Sequence, residues 1–288
     1  MKFSRTLALL LLLFAVYWSF KSLMPSYSPD QDVELKAFST DRALEHVKQL
    51  SMEPHAVGFP GHERVKDYII SELNKLGLKT TIQDGYTAGD WGNLSKATNI
   101  LARIEGSGDG KALLLLSHYD SNPHSSLGAS DAGSGVATIL EGVRAFLSEN
   151  RTPKNDIIIL ISDAEELGLN GADLFVNKHP WAKDVGLVLN FEARGSGGPS
   201  YMLIETNRGN AKLIKNSKRP IQNIPWPIPW PTVSTKCSRT IQTLLFLGRT
   251  AISKASILHL STTILITILH WTTTKDWTGT LLPTKAAT

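Results

Sequence analysis

The stretch that decides the fold is Leu113-Leu114-Leu115-Leu116-Ser117-His118-Tyr119-Asp120. Four leucines in succession predict a strand that is buried on both faces, as in a parallel sheet covered by helices. Polar residues begin where the apolar run stops, so we expect His118 and Asp120 at the carboxyl end of this strand. Ligands of open α/β sheets bind at that edge. The stretch therefore predicts both a central strand and a functional site beside it.

Two further apolar runs end in the same way. Residues 157–161 are followed by adjacent glutamates, and residues 185–190 are followed by another. An aspartate also lies just before the helix that we predict to begin near Ser134. Because the carboxyl ends of parallel strands meet at one edge of a sheet, these side chains are expected on a common rim. The predicted rim consists of His118, Asp120, Asp131, Glu165, Glu166 and Glu192.

Helical and strand-like patterns alternate along the chain. This alternation predicts an α/β fold with a doubly wound, mainly parallel sheet flanked by helices. The glycine-rich stretch 106–110 predicts a hairpin turn between the strands on either side of it. Apart from the three runs above, we predict strands at 79–82, 98–104 and 201–205 and helices at 39–50, 65–76, 136–147 and 172–176.

The N-terminal segment is typical of a chain addressed to a membrane. Lys2 and Arg5 precede an apolar run over 7–20 that is followed by Lys21. Extended through Met24, the run approaches the roughly 20 residues that span a bilayer. A cleaved signal peptide and an uncleaved signal anchor both fit. The anchor is favoured because no Ala-x-Ala-like cleavage site follows and Tyr17 and Trp18 suit an interface. Either case places the rest of the chain outside the cytoplasm, whereas a buried core helix fits this position poorly.

Composition and charge exclude several classes of protein. The net charge is +4, and all but one of the 26 acidic residues precede residue 215. The basic residues of the tail are scattered rather than clustered, so binding of nucleic acid is not indicated. The single cysteine, Cys237, excludes an internal disulfide framework and a cysteine-based zinc site. Any metal must therefore be held by histidine and carboxylates.

The predicted rim has the chemistry of a metal site. Converging carboxylates repel one another unless a cation lies between them, and imidazole with carboxylates suits zinc or a neighbouring first-row metal. Of the adjacent Glu165 and Glu166, one can bind metal while the other serves as general base. Taken singly, each residue has an ordinary explanation: His118 ends a strand, Asp131 caps a helix, and the glutamate pair begins one. Only their occurrence together, in this order, predicts the site.

Other candidate features carry less information. We interpret His55, His124 and His179 as surface or loop residues, and Arg194 as a residue that holds either substrate or structure. The pattern around Ser134 is not the Gly-x-Ser-x-Gly sequence of a nucleophile elbow. Residues 93–95, Asn-Leu-Ser, form an N-glycosylation sequon.

Four ordered runs resemble the motifs of the di-zinc aminopeptidases. They are SHYDS (117–121), ASDAGSGVA (129–137), SDAEELGLNGA (162–172) and NFEARG (190–195). This family includes the glutamate carboxypeptidases and membrane-anchored metallopeptidases of the endoplasmic reticulum and vacuole. The resemblance covers residues 40–214, and the N-terminal segment with the NFEARG form is most similar to the membrane-anchored branch.

The resemblance implies two zinc ions and hydrolysis of a peptide substrate, releasing N-terminal residues. His118 and Glu192 would bind one zinc, Asp131 would bridge both, and Glu166 would bind the second. Glu165 would be the base that takes a proton from the attacking water. Asp120 would orient His118.

The tail departs from the family pattern. The family needs a late histidine for the second zinc, in a phrase such as His-Thr-Ala-Leu-Asp, and neither His259 nor His270 stands in one. We hypothesise a one-base frameshift after about residue 214. In the shifted frame, the last base of each codon is read with the first two bases of the following codon. Trp-Pro then encodes Ala and Trp-Thr encodes Asp. The same shift permits His-Thr-Ala-Leu-Asp across 267–272. The alternative is a genuine divergent tail in which 257–268 is a strand or part of a membrane segment.

These patterns divide the chain into three parts: a signal anchor or transmembrane segment (1–25), a zinc-peptidase domain without its last elements (39–214) and an atypical tail (215–288). Two other functions remain open. One is a catalytically inactive homologue that serves as a binding domain, and the other is a related di-zinc amide hydrolase such as a cyclotransferase or deacetylase.

The frameshift hypothesis makes a prediction about the gene. DNA sequencing across codons 205–288 is expected to show that the shifted frame encodes His before Thr-Ala-Leu-Asp, because the codons of Thr267 and Ile268 leave only His, Asp, Asn or Tyr at that position. A codon for Asp, Asn or Tyr there contradicts the hypothesis.

Overall fold

The computed structural model of the chain describes residues 2–23, 33–193, 204–205 and 256–259. The described helices are α1 (Lys2–Leu23), α2 (Thr40–Leu50), α3 (Pro60–Lys75), α4 (Gly135–Ser148) and α5 (Asn170–Lys178). The strands are β1 (Thr80–Thr87), β2 (Ser95–Ile104), β3 (Ala112–His118), β4 (Ile157–Ser162), β5 (Val185–Asn190), β6 (Ile204–Glu205) and β7 (Ser256–His259). Every helix and strand predicted between residues 39 and 191 is present.

Local sequence signals explain where the helices begin and end. The Ser39 hydroxyl accepts a hydrogen bond from the Arg42 N–H at 3.1 Å and caps α2. Helix α3 begins at Pro60, whose fixed φ suits the first helical position. It ends before Gly77, which adopts φ +78°, a left-handed conformation that glycine accepts without steric cost.

The sheet is mixed, so the prediction of a mainly parallel sheet is wrong. Its strand order is β1-β2-β4-β3-β5-β7-β6. Strand β3 lies parallel to both β4 and β5, and β5 lies parallel to β7, but β1 with β2, β2 with β4, and β6 with β7 are antiparallel. The physical reason is connection length: the short loops after β1 and β2 reverse the chain, whereas a parallel pair needs a long crossover.

The predicted hairpin at 106–110 is also wrong, because β4 lies between β2 and β3. The glycine-rich loop instead packs on the segment that leads into β4. The N–H groups of Ser107 and Gly108 donate to the carbonyls of Pro153 and Lys154 at 2.9 and 2.8 Å. The loop therefore carries the chain across the end of β4 rather than turning it back on β2.

Helices cover both faces of the sheet, as the leucine run in β3 predicts. Leu113 and Leu115 pack with α2, α3 and α4 on one face, while Leu114 and Leu116 pack with α5 on the other. All four side chains are buried. This three-layer arrangement leaves the ends of the strands, rather than the faces of the sheet, open for a functional site.

Helix α1 is the one helix in the described part of the chain that is long and apolar enough to cross a membrane. None of its apolar window, Arg5–Ser22, is buried. The exposure excludes the alternative of a core helix, because apolar core helices are covered on all sides.

Most predictions for the tail lie outside the described residues. They concern Arg194, the late histidine phrase and the frameshifted frame. Two described strands lie beyond residue 193. Strand β6 falls within the predicted strand 201–205, and β7 includes the first three residues of the 257–268 run.

Candidate metal centre

His118 lies at the centre of the site, at the carboxyl end of β3. Its ring is buried, and Nε2 lies 3.1 Å from Asp131 Oδ1 and 3.5 Å from Glu192 Oε1. One ligand atom from each of these three residues lies within 4.8 Å of the others. Within the residues described above, no other three side chains form a group that could hold a metal ion.

A glycine brings Asp131 close to the two strand ends. Asp131 lies in the turn Ala129–Ser134, which leads directly into α4, and its own backbone there is not helical (φ −107°, ψ 102°). A Cβ atom on Gly135 would come within 2.4 Å of the Phe191 carbonyl oxygen and 2.5 Å of the Ser117 hydroxyl. The absent side chain therefore lets this turn lie against β3 and β5. Ser134, not Asp131, is the N-cap residue of α4, so helix capping does not explain the aspartate.

Asp120 joins the end of β3 to the loop after β4. Its carboxylate accepts the backbone N–H groups of Glu165 and Glu166 at 3.0 and 3.1 Å. The same carboxylate lies 3.3 Å from Nδ1 of His118, on the side of the ring opposite Asp131. Asp120 therefore sets the position of both glutamates and faces the imidazole.

The two glutamates have different surroundings. Glu165 places Oε2 3.9 Å from His118 Nε2, and burial, together with Glu192 and other nearby carboxylates, raises its pKa to about 8. Burial also raises the pKa of Glu166, whose Oε2 accepts a hydrogen bond from the Asn122 side chain at 2.8 Å. Asn122 was missed in the sequence because nothing in its neighbourhood distinguishes it from an ordinary loop asparagine.

The converging carboxylates of the site favour the binding of a cation. Burial disfavours a charge on His118, yet the surrounding carboxylates outweigh it and raise its pKa well above the ordinary value. Those carboxylates belong to Asp120, Asp131, Glu165 and Glu192. Nitrogen and oxygen donors at this spacing fit zinc, which would take the place of the proton on the imidazole.

Among residues 33–193, the other histidines do not join the group. His124 is exposed, and His179 is half-buried and accepts the Trp181 N–H at 3.2 Å. His55 lies in a loop, which agrees with its interpretation as a surface or loop residue, and its side chain is buried there. Its backbone N–H donates to the Ser121 hydroxyl, and its ring packs against Gly128.

A three-layer α/β fold with a candidate His/Asp/Glu metal group at its strand ends defines a zinc-exopeptidase-like fold. Residues 99–225 match the model of Peptidase family M28. The match confirms the resemblance to the di-zinc peptidases.

Curated relatives are named for a membrane protease. The vacuolar membrane protease of Candida albicans is 38% identical over 176 residues, which cover 59% of this chain and 20% of the relative. That of Schizosaccharomyces japonicus is 32% identical over 226 residues, covering 73% of this chain and 25% of the relative. The chain thus spans about a fifth to a quarter of the length of these relatives.

Solved structures share the fold at low sequence identity. A Zn-dependent exopeptidase from Parabacteroides distasonis superposes with a TM-score of 0.64 at 18% identity, over 84% of this chain and all of that one. A glutaminyl cyclase from Porphyromonas gingivalis gives 0.62 at 19% identity, over 81% of this chain and 95% of that one. At such identities the likeness establishes the fold alone.

The raised pKa of His118 predicts that zinc binding releases a proton. The surrounding carboxylates raise the pKa of the metal-free imidazole, which must be neutral to bind zinc, so affinity is expected to rise with pH. Calorimetry in buffers of different ionisation enthalpy would count the protons. His118→Asn is expected to release about one proton fewer per chain than wild type. His124→Asn, which alters an exposed imidazole, is the control; equal counts for the two variants contradict the prediction.

Proposed function

We propose that this chain is a zinc-dependent exopeptidase of the aminopeptidase type that hydrolyses peptide substrates at a site for two zinc ions. The observation that carries the proposal is the meeting of His118, Asp131 and Glu192, with Glu165 beside them. The finer activity rests on this geometry and on the resemblance of the four motifs.

In this proposal each side chain has a separate task. His118 and Glu192 would hold the first zinc, Asp131 would be shared by both ions, and Glu166 would help to hold the second. Asp120 orients the ring of His118 from 3.3 Å and fixes the loop that carries the glutamates. The half-exposed carboxylate of Asp131 lies on the open side of the group, where a substrate would enter.

When bound, zinc supplies Lewis-acid polarisation of the scissile carbonyl and lowers the pKa of water. Glu165 would accept the proton of the attacking water and pass it to the leaving amine. Its pKa of about 8 in the metal-free protein reflects burial among carboxylates. A cation placed between those carboxylates favours the ionised form that a base requires.

The second zinc site is incomplete in the sequence of this chain. Glu166 needs the late histidine of the family phrase, which the tail does not contain in its present frame. We therefore expect weaker binding of the second zinc and impaired activity. If the chain binds neither zinc ion, the alternative function applies, and the chain is an inactive homologue that acts as a binding domain.

A related amide hydrolase is the second candidate. Glutaminyl cyclases and peptidases both occur among the solved structures with this fold, so the fold alone does not separate the reactions. The substrate that is turned over, an aminoacyl amide or an N-acyl or cyclising compound, separates them.

We further propose the domain limits 1–25, 39–214 and 215–288, with α1 as the membrane segment and the peptidase domain on the non-cytoplasmic side. The exposed apolar surface of α1 and the names of the curated membrane relatives support this placement. Cleavage of the segment would give a secreted protein instead. Partners in this proposal are a peptide and a membrane, not nucleic acid.

The proposed mechanism predicts the effect of Glu165→Gln. Removing the base is expected to lower kcat for aminoacyl nitroanilides by about 10²- to 10⁴-fold while zinc stoichiometry stays unchanged. Activity assays with zinc determination on the same samples would measure both. Glu63→Gln, on the exposed side of α3, is the control. Hydrolysis that resists both Glu165→Gln and a chelator contradicts the mechanism.

The proposed location predicts glycosylation. Asn93 of the sequon 93–95 is exposed in the loop between β1 and β2, and Asn150 of a second sequon, 150–152, is exposed after α4. In a eukaryotic secretory host, endoglycosidase is expected to increase the gel mobility of the wild type. Asn93→Gln with Asn150→Gln should abolish this change. A wild-type chain whose mobility endoglycosidase does not alter contradicts a non-cytoplasmic domain.

A further inference from the structure

His62 is a buried histidine outside the four motifs. It lies in the first turn of α3, and its Nε2 lies 2.7 Å from Asp163 Oδ1. The exposed fractions of the two side chains are 8% and 1%, so the contact is closed to solvent. Burial opposes a charge on the imidazole, but Asp163 outweighs burial and raises the pKa of His62. A buried polar pair of this kind needs a structural or functional explanation.

Asp163 begins the loop that carries the proposed base. Besides His62, its carboxylate accepts the N–H groups of Thr98 and Ala164, both at 2.8 Å. Ala164 has φ +54°, a left-handed conformation that a residue with a side chain adopts only when its surroundings hold it there. This turn directs the next two N–H groups, those of Glu165 and Glu166, to the carboxylate of Asp120.

The other side of His62 faces the end of β3. Its ring stacks on that of Tyr119, with centroids 4.9 Å apart and planes inclined by 26°. Tyr119 stands between His118 and Asp120 in the sequence. Its N–H donates to the Ser162 carbonyl and its hydroxyl donates to the Thr98 carbonyl, both at 3.0 Å. One imidazole from α3 thus contacts the two chain segments that bear the proposed metal ligands and base.

We propose that His62 is a positioning residue that holds the loop of Glu165 and Glu166 in register with the end of β3. By binding Asp163 and stacking on Tyr119, it fixes Glu165 at its 3.9 Å separation from His118. The expected effect of His62 on catalysis rests on the proposed function, whereas its expected effect on the geometry of the loop does not.

The chain contains a matched control for this proposal. His46, in α2, makes a similar contact with Tyr68 of α3, with Nδ1 2.7 Å from the hydroxyl and ring centroids 6.1 Å apart. Neither this hydrogen bond nor this ring contact involves the loops at the carboxyl ends of the strands. His46→Ala therefore measures the cost of losing a histidine–tyrosine contact without disturbing the proposed site.

The experiment compares His62→Ala, His62→Gln, Asp163→Asn and His46→Ala in the full chain. For aminoacyl nitroanilides, His62→Ala and Asp163→Asn are expected to lower kcat by about 10- to 100-fold, the effect of a small misplacement, with KM within about twofold. His62→Gln keeps a donor for Asp163 and is expected to restore part of kcat. His46→Ala should lower the Tm to a similar extent but leave kcat unchanged.

A second readout does not depend on activity. Hydrogen–deuterium exchange of peptide 162–168 is expected to be faster in His62→Ala and Asp163→Asn than in wild type, since the Glu165 and Glu166 N–H groups lose their register with Asp120. It should be unchanged in His46→Ala. Exchange that is the same in His62→Ala and His46→Ala overturns the proposal. If wild type hydrolyses no substrate but the exchange differs as expected, the proposed function fails and the positioning role stands.

Discussion

A buried imidazole that faces four carboxylates is the constraint on which the functional end of this sheet depends. Like charges at such short range repel, and burial removes the water that would screen them. Two kinds of partner offset the repulsion here. Backbone N–H groups of the loop after β4 bind Asp120, and the imidazole of His118 lies among the other carboxylates. A zinc ion would complete the compensation, which is why the site fits a metallopeptidase.

Close approach of backbone segments makes this cluster sterically feasible. Gly135 lets the turn that carries Asp131 lie against β3 and β5, and Gly171 has the same role beside Asp163. A Cβ on Gly171 would come within 2.4 Å of the Asp163 carbonyl oxygen. Glycines, which have no side chain, thus determine whether the imidazole and the carboxylates can lie close together. The positive φ of Ala164 belongs to the same set of constraints, because it turns the glutamate N–H groups towards Asp120.

The sequence predicted the location of the candidate site, at the carboxyl ends of the strands, better than it predicted the architecture of the sheet. His118, Asp131 and Glu192 were found because each follows a recognisable apolar run or precedes a helix. The predictions of a mainly parallel sheet and of a hairpin at 106–110 were wrong, since strand order depends on which strands pack side by side. In this fold β4 lies between β2 and β3, although β4 begins 62 residues after the start of β2. Only tertiary pairing brings these two strands together.

The sequence by itself determined which segments are buried strands and which polar side chains stand at their ends, because burial and alternation are local properties of the chain. Only the tertiary structure decided which of those side chains touch. The contacts of Asn122 with Glu166 and of His62 with Asp163 join residues 44 and 101 positions apart. Pairs so distant leave no periodic signal in the sequence, and their geometry follows from how α3 and the loops pack against the ends of β3 and β4.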